Sequence, residues 1–187
     1  MVLFIRHRVN ILDFKEDCDG VECDIRDGLV MTHDHVGTGV HFSEYIKTYP
    51  YKFIILNVKC EGLEKELLKY LPEDLEYFFL DSSFPTIVKL GNPNMAVRFS
   101  EYERMDTLRT MKRRVKWVWV DLFHSFHFKT EEFDEMKQMG YSICLVSPEL
   151  HGRFDEVKPY AEYIKKNNIT PDAVCTKCID LWKEVFP

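Results

Sequence analysis

What most limits the folds open to this chain is an alternation. Short runs rich in β-branched and aromatic residues recur at 2–7, 20–25, 53–59, 77–81, 95–100, 115–121, 141–147 and 173–177. Each has the length of a strand, and turn-forming residues bound most of them. Between most of these runs the apolar side chains return at helical spacing: Phe42, Tyr45, Ile46 and Tyr49; Leu63, Leu67, Tyr70 and Leu71; Met105, Leu108 and Met111; Phe133, Met136 and Met139. Strands joined through helices run parallel, because the helix carries the chain back to the starting edge. Eight of them fit a closed (β/α)8 barrel better than an open, doubly wound sheet of five or six strands.

The expected fold is therefore α/β, a compact (β/α)8 TIM barrel, with one domain spanning 1–187, since no linker, repeat or low-complexity tract interrupts the chain. Local punctuation agrees. Pro85 sits where the first turn of a helix tolerates it, Thr130 is placed to cap a helix, and Gly91 and Gly140 follow helical segments. Length imposes a compromise, because 187 residues over eight units leave about 23 for each, while such barrels usually total about 250. Only 14 residues separate His7 from Glu22. That is too few for two loops and a helix, so the first outer helix is expected to be shortened or missing.

Charge narrows the function. The chain has 25 basic and 31 acidic residues, a net charge of -6, so it lacks the positive field that holds nucleic acid. Apolar runs such as Val2-Leu3-Phe4-Ile5 fall far short of the ~20 residues of a membrane span, which excludes integral membrane association. Six scattered cysteines without a targeting segment read as reduced thiols of a cytoplasmic protein. The expected partner is a small molecule.

In a barrel of this kind the chemistry lies at the C-terminal ends of the strands. Those ends are polar here, with His7 and Arg8, Glu22 and Asp24, Asn57 and Lys59, Asp81, Asp121 and Lys177. Residues two apart on a strand share a face, so Glu22 and Asp24 point one way, as do Asn57 and Lys59. Two carboxylates with an amide oxygen beside them are hard donors suited to Mg2+ or Ca2+. Asp27-Gly28 reads as a tight turn that returns a short strand to His33, where it can face His7. Two imidazoles flanking a phosphodiester are what general acid and general base catalysis of its cleavage requires.

His7-Arg8, then Gly20-Val21-Glu22-Cys23-Asp24, then Gly28-Leu29-Val30-Met31-Thr32-His33-Asp34 resembles the glycerophosphodiester phosphodiesterase family in order and spacing. The likeness continues through Asn57-Val58-Lys59, similar to the family's Glu-x-Lys, and Ser82-Ser83-Phe84. The resemblance implies a metal-dependent phosphodiesterase that hydrolyses a glycerophosphodiester to glycerol 3-phosphate and an alcohol. In it His7 and His33 form the acid/base pair, Arg8 and Lys59 contact the phosphate, and Glu22, Asp24 and Asn57 hold Mg2+ or Ca2+. Asn57 stands where the family has Glu, so the ligand set carries -2 in place of -3 and binds its cation weakly. Val9 replaces the family's Gly and the Glu-Asn-Thr signature is absent, which implies a remodelled loop beside the phosphate. Thr176-Lys177, in place of Thr-Asp, adds a cation at the mouth. Two alternatives stay open: a phospholipase D-like or lyase reaction giving a cyclic phosphate, and a phosphodiester-binding protein without turnover.

Other features read as structural. Cys175 and Cys178 have CxxC spacing without a second half-site and are expected to pack at a strand end. The aromatic run 122–128 is expected to cap the mouth, with His124, His127 and His151 as surface histidines. Trp117 or Trp119, sharing a parity with Asp121, is placed to meet a cationic head group.

Overall fold

A computed structural model describes residues 1–35, 37–125 and 128–187. The elements run β1 (Leu3–Arg6), β2 (Gly20–Arg26), β3 (Val30–Met31), α1 (Phe42–Lys47), β4 (Phe53–Val58), α2 (Glu64–Leu67), β5 (Glu76–Leu80), α3 (Phe84–Leu90), β6 (Ala96–Phe99), α4 (Met105–Met111), β7 (Trp117–Val120), α5 (Thr130–Gln138), β8 (Ser142–Val146), α6 (Val157–Lys166), β9 (Ala173–Thr176) and α7 (Ile179–Val185). Eight strands pair in parallel in the order β5-β4-β2-β1-β9-β8-β7-β6, and β3 adds a short antiparallel turn-back on β2. The ring closes at β5 and β6 through a parallel bridge between Phe79 and Met95, where the Phe79 N–H donates to the Asn94 carbonyl at 3.0 Å. This is a (β/α)8 barrel.

Alternation along the strands sorts the apolar side chains into two cores. Ile5, Phe53, Ile55, Phe78, Leu80, Trp117, Trp119 and Val146 fill the barrel with the smaller Ala96, Cys144, Ala173 and Cys175. The rings gather on one wall, Phe78 stacked on Trp117 at 4.8 Å and Phe53 edge-on to it at 5.4 Å, and the small residues leave room for them. The intervening positions, such as Val21, Ile54, Phe79, Val118, Ile143 and Val174, face outward into a second core with Tyr45, Leu108, Met136, Tyr160 and Trp182 of the helices. Each such side chain, fully buried, stabilises the fold by roughly 1.5–3 kcal/mol. Gly20 faces the interior where β2 and β4 approach closely. A Cβ there would stand 2.2 Å from the Phe53 carbonyl oxygen.

Among the described residues no helix lies between β1 and β2, as the length predicts. A loop fills its place. Phe14 inserts edge-on among Tyr45, Tyr49 and Tyr51 at 5.1, 5.6 and 5.9 Å, and the hydroxyls of Tyr45 and Tyr51 donate to the Val9 and Lys15 carbonyls at 2.7 and 2.5 Å. The aromatic clasp covers the sheet and satisfies loop carbonyls that a helix would have bonded internally.

Two expectations are corrected. Trp117 and Trp119 are each 4% exposed inside the barrel, so neither offers a face to a cationic head group. Helix α5 is capped one residue early, at Lys129, whose N–H donates to the Glu132 carboxylate at 3.0 Å. Pro85 and Gly91 behave as read. Pro85 follows the Ser83 cap of α3, and Gly91 ends that helix at φ 63°. No helix among the described residues is long and apolar enough to cross a membrane.

Candidate functional site

The inward rows of the strands do not stop at the apolar layer. One step further, Ile5 is succeeded by His7, Ile55 by Asn57 and Lys59, Ala96 by Arg98, Trp119 by Asp121 and Cys175 by Lys177, while β2 carries Glu22 and Asp24 directly above Gly20. A single periodicity thus builds an apolar plug and a polar ring at the C-terminal mouth.

Six of the seven residues singled out from the sequence meet there. Glu22, 1% exposed, accepts from the Arg8 N–H and from Asn57 Nδ2, both at 2.8 Å, and His7 Nε2 stands 3.6 Å from it. Arg8 adopts φ 54°, a left-handed conformation costly for a side-chain-bearing residue, and this turns its N–H toward the carboxylate. Asp24 accepts from Asn10 Nδ2 at 3.0 Å, with Arg8 Nε at 3.5 Å and Lys59 Nζ at 3.4 Å. Asn10 also accepts from the Asp24 N–H at 2.8 Å, so the remodelled loop keeps one polar anchor on the site. Lys59 reaches across to Asp81 at 3.2 Å.

His33 stands apart. The predicted turn forms, with Gly28 and Leu29 at φ 70° and 56°. Strand β3 pairs back on β2, and Thr32 N–H donates to the Asp24 carbonyl at 3.1 Å. His33 itself lies exposed beyond this point, with Nδ1 3.4 Å from Asp34 and its carbonyl held by Arg26 at 2.7 and 2.9 Å. It touches none of the other six, yet its charge contributes to His7's environment.

Electrostatics divide the pair. Burial, and then the charges of Arg8, Lys177, Lys59 and His33, push the His7 imidazole down to about 3, so it is neutral at physiological pH. Burial and then Asp24 push the Glu22 carboxyl up to about 7, against the bonds from Asn57 and Arg8. Like charges two residues apart in a desolvated site explain the rise. That deficit of positive charge fits a divalent cation. The Oδ1 atoms of Asp24 and Asn57, which are register partners on β2 and β4, are both buried without a hydrogen bond. Glu22, Asp24 and Asn57 therefore supply oxygen donors of the type Mg2+ or Ca2+ takes. Among the described residues no three His, Cys, Asp or Glu are grouped to hold a metal, so the set depends on the amide oxygen. Lys59, already drawing on Asp24, weakens it further.

On the opposite side Asp81 and Asp121 stand at the mouth as expected, but Arg98 and His151 were not foreseen there. Arg98 pairs with Asp81 at 2.5 Å and with Asp121, and His151 Nε2 stands 2.6 Å from the other Asp121 oxygen. His151 is thus no ordinary surface histidine. The available signal was Arg98, a charge between Val97 and Phe99 on the inward parity of β6. Glu149, buried, accepts from Thr176 Oγ1 at 2.6 Å and the Lys177 N–H at 2.8 Å, fixing the end of β9 and holding Lys177 at the mouth. Cys175 is buried, and burial pushes the thiols of Cys175 and Cys178 up, as packing residues require. His124 meets the Tyr102 hydroxyl at 2.7 Å, Phe128 is buried, and Phe126 and His127 lie outside the described residues.

No protein-family model matches the chain, and no curated protein matches it in sequence. Among solved structures, the crystal structure of glycerophosphodiester phosphodiesterase from Agrobacterium tumefaciens str. C58 is similar to it over 100% of this chain and 99% of that one, with a TM-score of 0.60 and 12% sequence identity. At that identity the likeness establishes the shared (β/α)8 barrel.

Proposed function

We propose that this chain is a phosphodiester hydrolase of the glycerophosphodiester type, cleaving its substrate to glycerol 3-phosphate and an alcohol. The observation that carries the reading is the union of His7, Arg8, Glu22, Asp24, Asn57 and Lys59 at one end of the barrel. The solved structure with the same barrel is named for this activity, which adds support.

Each step has a residue of suitable chemistry. The Arg8 guanidinium and Lys59 ammonium bind the phosphate oxygens and oppose the charge that grows on them in the transition state. His7 is neutral, and its Nδ1 is buried without a hydrogen-bond partner. The negative charge of a bound phosphodiester offsets Arg8 and Lys59 and, with Glu22 3.6 Å away, raises the basicity of His7, which takes the proton of the attacking water. His33, on the exposed β3 loop, gives a proton to the departing alkoxide. The balance is one water added, one P–O bond formed and one broken. Glu22, Asp24 and Asn57 would hold Mg2+ or Ca2+, which supplies Lewis-acid neutralisation of the phosphate charge when bound.

The test is turnover of a glycerophosphodiester panel with Mg2+, Ca2+ or EDTA. Turnover that EDTA abolishes and that His7→Ala lowers by about 10²- to 10⁴-fold is the expected result. Thermal stabilisation by the same compounds without turnover would replace the proposal with phosphodiester binding. The arrangement of Asp24 favours that second reading, since Arg8 and Lys59 already draw on its charge.

A further inference from the structure

We infer that Asp121 and His151 form a hydroxyl-binding subsite for the alcohol portion of the substrate, so that an uncharged polyol is preferred there over an amine-bearing alcohol. This rests on the phosphodiesterase reading of the mouth.

Position comes first. In the ring order β5-β4-β2-β1-β9-β8-β7-β6, strand β7 lies four places from β2, and β8 lies four places from β4. In a ring of eight those are opposite walls. Asp121 follows β7 and His151 ends the turn Pro148–His151 after β8, so both face the wall of Glu22, Asp24, Asn57 and Lys59 across the mouth. A substrate whose phosphate lies on that wall extends its alcohol toward them.

The pair is built to accept a hydrogen bond. Asp121 is buried and receives Arg98, Trp119 Nε1 at 3.3 Å and His151 Nε2 at 2.6 Å. A carboxylate only accepts, so Nε2 carries the proton shared with Asp121, and in the neutral imidazole Nδ1 then presents its lone pair. That atom has no hydrogen-bond partner among the described residues, and the side chain is 22% exposed. Phe123 lies against the ring at 4.8 Å. The Phe123 and His124 N–H groups both donate to Glu101 at 2.9 Å, which pins the loop that holds Phe123. The imidazole is therefore oriented on two sides, and the Phe123 ring adds an apolar surface for a polyol's carbon face.

Charge selects among alcohols. Asp81 and Asp121 are both paired with Arg98, and Lys59 stands beside Asp81. Neither Asp81 nor Asp121 is left without a cation to attract an ammonium group, and Glu101 and Glu149 are held by the Phe123 and His124 N–H groups and by Thr176 and the Lys177 N–H. The unfilled valence is an acceptor, and a hydroxyl is the neutral donor that fills it.

The experiment compares kcat/KM for glycerophosphoinositol and glycerophosphocholine in the wild type and in His151→Gln. Wild type should favour the inositol ester by about tenfold, the worth of one oriented hydrogen bond, and the variant should bring the ratio to within about twofold. A preference for the choline ester, or a ratio unchanged in the variant, overturns the inference. If neither ester is turned over, the hydrolase reading fails and the subsite is read separately by ¹³C-histidine NMR. Adding myo-inositol 1-phosphate should then shift the His151 Cε1–H resonance, assigned by its absence from the variant, while phosphocholine does not. No shift, or equal shifts from both, overturns the inference independently of turnover.

Discussion

Glu22 and His7, 3.6 Å apart, make opposite contributions to stability over the same pH interval. Between 4.5 and about 7 the folded chain holds a proton on Glu22 that the unfolded chain has released, so this group's contribution falls as pH rises. Between about 3 and 6.5 the unfolded chain protonates His7 while the folded chain does not, so that contribution is complete above 6.5 and is lost as pH falls. From pH 4.5 to 6.5 each amounts to about 2 kcal/mol with opposite sign, and in the wild type the two largely cancel. Single substitutions uncover them. Relative to wild type, Glu22→Gln should gain about 2 kcal/mol of stability as pH rises from 4.5 to 6.5, and His7→Gln should lose about 2 kcal/mol over the same range. Urea unfolding in EDTA at pH 4.5, 5.5 and 6.5 measures both, and taking differences from wild type removes the titration of every other group. Differences that stay constant with pH to within about 1 kcal/mol would mean that neither group is desolvated as its burial requires.

Asn57→Glu should destabilise the protein in EDTA, by setting a third carboxylate beside Glu22, and should tighten Mg2+ or Ca2+ about tenfold; calorimetric titration showing unchanged affinity would remove Asn57 from the ligand set. Arg98→Met leaves Asp81 and the buried Asp121 without their shared partner and should cost about 3 kcal/mol in urea unfolding at pH 7, whereas a loss below about 1 kcal/mol would mark the network as solvated. Gly20→Ala forces a Cβ against the Phe53 carbonyl and should cost about 2 kcal/mol or more by strand displacement; a neutral result would mean that β2 and β4 separate freely.

The barrel was legible because it follows from local rules. Period-2 runs alternating with helical spacing gave eight strands, and the short gap from His7 to Glu22 foretold the missing helix. The same parity placed Glu22 and Asp24 together, with Asn57 beside them, since side chains two apart cannot face opposite ways. Parity gives direction but not depth. It put Trp119 on the inward face correctly, yet could not tell that Trp119 lies in the packed layer while Asp121, two residues on, reaches the mouth. Loops obey no such period, which is why His151 was unreadable before its turn brought it to Asp121, and why His33, expected to face His7, lies exposed beside Asp34. The meeting of β5 with β6 through Phe79 and Met95 is likewise a product of ring closure, not of either segment's sequence.

The proposed reaction adds water across a phosphodiester bound at this mouth. A ³¹P NMR time course of a glycerophosphodiester with the protein and Mg2+ tests it directly. The diester resonance should give way to glycerol 3-phosphate, and His7→Ala and His33→Ala should each slow the change by at least about 10²-fold. A cyclic phosphate accumulating in its place, or full turnover in both variants, would contradict it.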